Sequence, residues 1–131
     1  MITKTIIKDK DRLEFLPRHF GRNHLKFEML VYAFMDKFCT EYTGGFWQFY
    51  TLDNGGLFIA LDSDQSFEVI NEMNYFEDRM SAQSASIGVN LFALNALASE
   101  TQDQRIVDYY DALRDFSAEH SEASKIFSFI D

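Results

Sequence analysis

The segment from Tyr42 to Leu61 constrains the fold of this chain most strongly, because its residue pattern predicts a β-hairpin. Two runs of aromatic and aliphatic side chains flank the turn residues Asp53 to Gly56. Asn-Gly is a strong hairpin signal, since both residues tolerate the positive φ angles of a two-residue turn. A turn of this kind at Asn54-Gly55 fixes the register of the hairpin. The cross-strand pairs that it predicts are Leu52 with Leu57 and Tyr50 with Ile59.

Both faces of this hairpin are apolar. Alternation along the first strand places Trp47 and Phe49 on one face, and Phe46, Tyr50 and Leu52 on the other. An apolar sheet surface needs cover from helices or from a partner. We therefore expect helices to cover the sheet, and a weak homodimer formed through the hairpin stays an alternative.

The composition predicts one compact domain spanning residues 1–131. Hydrophobic residues make up 47% of the 131 residues, and there is a single proline. No apolar run reaches the ~18 residues that a membrane span requires, and the first residues lack the apolar core of a secretion signal. The lone Cys39 cannot form an internal disulfide. These features predict a protein of the reducing cytoplasm that needs no cofactor or metal.

The charge of the chain is unevenly distributed. The net charge is −9, yet residues 1–26 carry seven basic against three acidic side chains, which gives +4 and leaves −13 for the remainder. Direct DNA binding is disfavoured because phosphate contacts depend on Lys and Arg. An acidic body is suited instead to a protein surface that normally receives DNA. The simpler alternative is that the charge only maintains solubility.

Hydrophobic periodicity predicts a single-domain α+β fold, an antiparallel β-meander of about four strands packed with about four helices. Residues 2–7 form either a short strand or part of a flexible basic lead over residues 1–15. Pro17 predicts an irregular segment from Leu13 to Gly21. Further strands are expected at Phe67–Ile70 and Tyr75–Met80. The predicted helices run from Asn23 to Glu41, from Ala82 to Ala98 with Ser81 as N-cap, from a capping box at Thr101–Gln104, and from about Ala118.

The titratable side chains show no catalytic pattern. His19 and His24 are five residues apart and lack the i, i+4 spacing of a helical zinc pair, while His120 is distant in sequence. Cys39 lies in an apolar pattern, where cysteine is usually a core residue. The sequence thus favours a protein that binds a partner. A small hydrolase or nuclease using His19 or His24 with nearby carboxylates is the alternative from another class.

Two groups of charged residues are candidates for partner contact. The first is the basic segment from Leu16 to Arg22, which either contacts a partner or only forms a rigid entry to the next helix. The second is an acidic helix face that resembles a DNA mimic, but three carboxylates over about 10 Å of helix are far sparser than the DNA charge of one per about 1.7 Å. A solvated face is the ordinary alternative. The candidate residues are Arg18, His19 and Arg22 in the first group, and Asp108, Asp111, Asp115, Glu119, Glu122 and Asp131 in the second.

Several short motifs along the chain together resemble the KlcA/ArdB antirestriction family, small proteins of plasmids and prophages. The resemblance implies an α+β fold, no catalytic residues, and protection of incoming DNA by inhibition of a host type I restriction-modification complex. The alternatives that stay open are an acidic DNA mimic with another target and a DNA-binding basic arm. The matching motifs are Leu16–Gly21, Glu28, Val31-Tyr32, Tyr42–Tyr50, Leu52–Gly56, Ile87-Gly88, Ala93–Asn95, Leu113-Arg114, His120–Ala123 and Ile130-Asp131.

Overall fold

The computed structural model describes all 131 residues and shows five strands and five α-helices, which confirms the predicted α+β fold. None of the helices is both long and apolar enough for a membrane span. In chain order the elements are β1 (Lys4–Ile6), α1 (Arg12–Phe20), α2 (His24–Phe38), β2 (Trp47–Leu52), β3 (Leu57–Leu61), β4 (Ser66–Asn71), β5 (Phe76–Ser81), α3 (Ala82–Thr101), α4 (Gln104–Ala118) and α5 (Ala123–Ile130).

The strands form two antiparallel sheets, in the orders β1-β2-β3 and β4-β5. All four strands of the predicted meander are present as β2 to β5, but β3 does not pair with β4, so the meander is divided between the two sheets. Residues 4–6 form a short edge strand on β2. Helices of the same chain cover the hairpin, since Trp47, Phe49 and Leu52 are all buried, whereas Phe46 is 52% exposed. The hairpin therefore does not depend on a second copy for cover.

The hairpin turn contains three residues, so the predicted register is wrong by one. Leu52 N–H donates to the Gly56 carbonyl at 2.9 Å, and Gly55 N–H donates to the Leu52 carbonyl at 3.1 Å. Within the turn, only Gly55 has a positive φ, of 90°, as in a turn followed by a glycine bulge. The Asn54 side chain donates to the Ala112 carbonyl at 2.9 Å, a contact that sequence spacing does not show. The observed pairs are Thr51–Leu57, Tyr50–Phe58 and Phe49–Ile59.

The segment predicted to be irregular around Pro17 is the helix α1. Proline removes one helical hydrogen bond, to the carbonyl of Leu13, and Leu13 is 91% exposed on the solvent side. Burial of Phe15 and Phe20 favours the helix, and Phe20 stacks on Phe27 of α2 at 4.2 Å between ring centroids. Tertiary packing therefore outweighs the local penalty of proline.

Helix α3 is the buried central element, as its apolar pattern predicts. Ser81 caps its start by accepting a hydrogen bond from Ser84 N–H at 3.1 Å. Strand β3 is buried along its whole length, and its free edge faces this helix. The Asn90 side chain accepts from Ile59 N–H at 3.0 Å and donates to the Ile59 carbonyl at 2.7 Å. Polar side chains of α3 thus replace a further strand at this edge.

The ends of the other helices differ from the predicted ends. The capping box at Thr101 is wrong: Thr101 ends α3, Gln102 adopts a left-handed conformation, and Asp103 caps α4 by accepting from Arg105 N–H at 3.0 Å. The capping-box motif favours Thr101, which has Gln104 three residues later, whereas Asp103 has Ile106 at that position. Helix α2 ends at Phe38 and α5 begins at Ala123, so both are shorter than predicted.

Candidate partner-binding surface

Helix α4 presents three carboxylates of the acidic group to solvent. Its buried side includes Ile106 and Leu113, which anchor it to the core. Asp108, Asp111 and Asp115 lie on the outer side and are exposed. Gln104 donates to Asp108 at 2.9 Å, while Asp111 and Asp115 make no hydrogen bond or ion pair within the chain. This outer face is therefore open to a partner.

The other three predicted carboxylates are engaged within the fold. Glu119 accepts from the backbone N–H of Ile2 at 2.7 Å, and Asp131 pairs with Arg114 at 3.3 Å. Glu122 accepts from Ser81 N–H at 3.0 Å and from the Ser84 hydroxyl. These contacts connect distant parts of the chain, and a partner that bound the three carboxylates would have to compete with them.

The pKa of Glu122 reflects its internal contacts. Burial opposes ionisation, but the hydrogen bonds from Ser84 and Ser81, with the nearby charges of Lys125 and His120, outweigh burial and lower the pKa. The carboxylate therefore stays ionised in the fold. The Arg114 pKa is raised, mainly by its hydrogen bond to Asp131, so the guanidinium stays charged.

The structure brings the basic segment into contact with α4. Arg18 is exposed and pairs with Glu14 at 3.4 Å, and Arg22 is exposed. His19 is half-buried, with its Nδ1 3.2 Å from the hydroxyl of Tyr109, the residue after Asp108. Burial lowers the pKa of His19, and the charges of Arg18 and Arg105 lower it further. The imidazole is therefore neutral near pH 7, and its contact with Tyr109 places the basic segment beside α4.

None of the three histidines is hydrogen-bonded to a carboxylate. His120 Nδ1 accepts from Glu122 N–H at 2.9 Å, its Nε2 lies 3.0 Å from the Gln83 amide oxygen, and burial lowers its pKa. His24 lines a shallow groove between α1 and α2. Cys39 is buried, and burial raises its thiol pKa to about 12. No imidazole is therefore hydrogen-bonded to the Cys39 thiol or to a carboxylate, and no group of three or more His, Cys, Asp or Glu residues could hold a metal ion.

One charged residue that the sequence reasoning overlooked is Arg12. Its guanidinium carbon lies 4.5 Å from the centre of the Phe46 ring and 4.1 Å from that of Phe49. Both aromatic residues are more than thirty positions away, so no local motif marks the contact. Sequence reasoning placed Arg12 only within the basic lead.

Comparisons with known proteins agree over almost the whole chain. A family model described as antirestriction protein matches residues 40–131. The antirestriction protein KlcA of Escherichia coli is 41% identical over 137 residues, which cover 99% of this chain and 94% of that protein. Another antirestriction protein KlcA of Escherichia coli is 38% identical, with 99% and 95% covered.

A solved structure is also similar, with a TM-score of 0.92, 38% sequence identity, and coverage of 99% of this chain and 95% of that one. It is described as the structure of the KlcA and ArdB proteins, which show a novel fold and antirestriction activity against type I DNA restriction systems in vivo but not in vitro.

Proposed function

Because this chain belongs to the antirestriction protein family, we propose that it protects incoming mobile-element DNA by inhibiting a host type I restriction-modification system. The observation that carries this proposal is the TM-score of 0.92 to proteins with that activity, over 99% of the chain. The matched length spans the segments that carry both candidate charged groups.

The proposed mechanism is occupation of a partner, without catalysis. The open carboxylates Asp108, Asp111 and Asp115 support it, because an acidic surface is attracted to sites that normally bind DNA phosphates. The histidine contacts support it too, because His19 and His120 are held by groups that are not carboxylates. The restriction complex is the proposed partner, contacted directly or through another cellular component.

The proposed activity depends on the cell. The KlcA and ArdB proteins act in vivo but not in vitro, and we extend this behaviour to the present chain. Such behaviour is explained if inhibition requires a cellular component, or a state of the restriction complex, that exists only in cells. Purified chain is therefore expected to leave DNA cleavage by a purified type I enzyme unchanged.

Plating of unmodified phage on cells with an active type I system tests the proposal. Expression of the chain should raise plating efficiency at least tenfold above that of cells with an empty vector. Phage carrying the host modification should plate equally on both strains, which controls for effects on phage growth.

The result that would overturn the proposed function is unchanged restriction across several different type I systems while the chain is present in soluble, folded form. Protection against an unrelated type II restriction enzyme would also contradict it, because the target would then not be specific to type I systems.

A further inference from the structure

Arg12, the first residue of α1, holds a guanidinium group that no acceptor of the chain satisfies. Its Nη1 is fully buried without a hydrogen-bond partner, and no ion pair involves this side chain. The rings of Phe46 and Phe49 hold the group in place through cation–π contact. Arg12 as a whole is only partly buried, but a buried guanidinium nitrogen without an acceptor is unusual, because buried polar atoms are normally hydrogen-bonded.

The guanidinium borders a groove of about 290 Å³ between α1 and α2. The walls are mostly apolar and include Leu16, Pro17 and Phe49. Two of the lining residues have large apolar side chains that face solvent, since Leu13 is 91% and Leu25 60% exposed, and Met29, which lies outside the lining, is 68% exposed. Leu25 and Met29 are one turn apart on α2, so they share a face. An exposed apolar patch around a groove is typical of a protein-interaction site.

The charges around the groove favour an anionic group in an apolar setting. Within the groove, the carboxylate of Glu28 already accepts from the Tyr32 hydroxyl at 2.9 Å, whereas Arg12 has no such partner. Residues 1–26 carry +4, while the rest of the chain carries −13. A nucleic acid would be repelled by that body and would meet apolar walls instead of further cations. A carboxylate with apolar neighbours matches both the planar guanidinium and the groove.

We infer that the groove between α1 and α2 binds a segment of a target protein in which an Asp or Glu carboxylate, flanked by apolar side chains, pairs with Arg12. This inference rests on the proposed function, because it assigns the contact to a protein subunit of the restriction system. The carboxylate accepts from the guanidinium, and Leu13, Leu25 and Met29 cover the apolar neighbours. The surface is separate from the predicted acidic face of α4.

Phage-plating assays of groove variants in cells with an active type I system give the first test. The variant R12Q removes the charge, R12K keeps the charge but loses the planar fork, and L25S/M29S removes the two exposed apolar side chains of α2. R12Q and L25S/M29S should each lower protection about tenfold, the loss expected for one charge-assisted contact or two apolar anchors. R12K should fall between R12Q and the wild type.

The matched controls are K10Q, which removes an exposed cation near Arg12, and M73S, which removes an exposed methionine outside the groove. Both should protect like the wild type. Leu25 and Met29 are largely exposed, so L25S/M29S tests the inference even if R12Q reduces folding. Full protection by R12Q and L25S/M29S would overturn the inference while leaving the proposed function intact.

Photo-crosslinking tests the groove independently of protection. A benzoylphenylalanine replacing Leu25 should crosslink to a restriction subunit in cells, at a segment containing an Asp or Glu beside apolar residues, and the same group at position 73 should not. Changing that acid to its amide should remove the crosslink, and R12E paired with Lys at that acid should restore it. A crosslink to nucleic acid or to a second copy of the chain would refute the inference, and so would crosslinks of equal strength from positions 25 and 73. These outcomes can be read even if the wild type fails to protect.

Discussion

At the residue scale, the Glu122 carboxylate connects the segment before α5 to the start of α3 through Ser81 and Ser84. Its folded-state pKa is lowered, so its contribution to stability is fully present above the unfolded pKa of about 4.3 and is lost as pH falls through the folded value. We predict that E122Q lowers the free energy of unfolding by about 1 kcal/mol at pH 7. Urea denaturation at pH 7, 5 and 3.5 should show the difference shrinking towards acid pH.

The control for this prediction is D115N, which removes an exposed carboxylate without internal contacts and should change stability by less than about 0.5 kcal/mol. A destabilisation by E122Q that did not depend on pH would show that the charge of Glu122 is not what stabilises the start of α3.

The predicted site residues show how far sequence reasoning reaches at this scale. Exposure of Asp108, Asp111 and Asp115 follows from helical periodicity, because the spacing places them opposite Ile106 and Leu113. The partner of Glu122 is nearly forty residues away, and periodicity within one helix carries no information about it. Arg12 was overlooked for the same reason, since its aromatic partners belong to the hairpin.

At the scale of elements, the edge of β3 depends on one amide. Asn90 satisfies both the N–H and the carbonyl of Ile59 in the buried core. We predict that N90A lowers the free energy of unfolding by about 2–4 kcal/mol, because two buried backbone groups lose their partners. Chemical denaturation measures the loss, and hydrogen exchange should show the Ile59 amide among those most affected.

The control is N95A, a change of the same type at an exposed position of the same helix, with an expected effect below about 0.5 kcal/mol. If N90A and N95A were equally stable, an alternative partner such as water would have to satisfy the β3 edge.

The contact between α3 and α5 allows no added volume. A Cβ at Gly88 would lie 2.5 Å from the Phe129 ring, which is itself fully buried against Phe38 and Phe92. Alanine has the higher helix propensity, by about 1 kcal/mol, yet we predict that G88A destabilises by about 1–3 kcal/mol because the ring cannot move aside. Thermal unfolding checks this, and the double variant G88A/F129L should recover part of the loss. A stabilised G88A would show that α5 shifts easily.

The elements that sequence predicted well are those whose local pattern and packing agree. The apolar stripe of α2 and the uniformly apolar α3 gave helices at the expected places, and Ser81 gave the correct cap. The irregular segment predicted from Pro17 was wrong, because burial of Phe15 and Phe20 stabilises α1 despite one lost hydrogen bond. The hairpin register differs from the predicted one because the turn has three residues, and the Asn54 side chain of this turn contacts α4, which local sequence does not show. The division into two sheets depends on long-range packing that short loops do not reveal.

At the scale of the whole molecule, the charge asymmetry separates two surfaces. The basic first 26 residues hold the Arg12 groove, and the acidic remainder holds the open face of α4. His19 and Tyr109 join the two parts. We propose that the two surfaces contact acidic and basic regions of one large partner at the same time, which would raise the effective affinity beyond that of either contact alone.

The acidic face is tested by charge reversal in D108K/D111K/D115K. The three side chains are exposed and Asp111 and Asp115 have no internal partner, so we expect the fold to be retained, with thermal unfolding within a few degrees of the wild type. If this face approaches a basic, DNA-receiving surface, protection of unmodified phage should fall at least tenfold because attraction becomes repulsion. Circular dichroism and the plating assay measure the two effects.

The matched control is D36K/D64K/E77K, which reverses three exposed acids that make no internal contact and lie outside α4. Each replacement adds two charges, so both triple variants change the net charge from −9 by six, to −3. If only total charge matters, the two variants should lose protection equally, through reduced solubility or nonspecific DNA binding. A loss confined to the α4 variant locates the contact on that helix, whereas wild-type protection by the α4 variant would remove Asp108, Asp111 and Asp115 from the partner-binding surface.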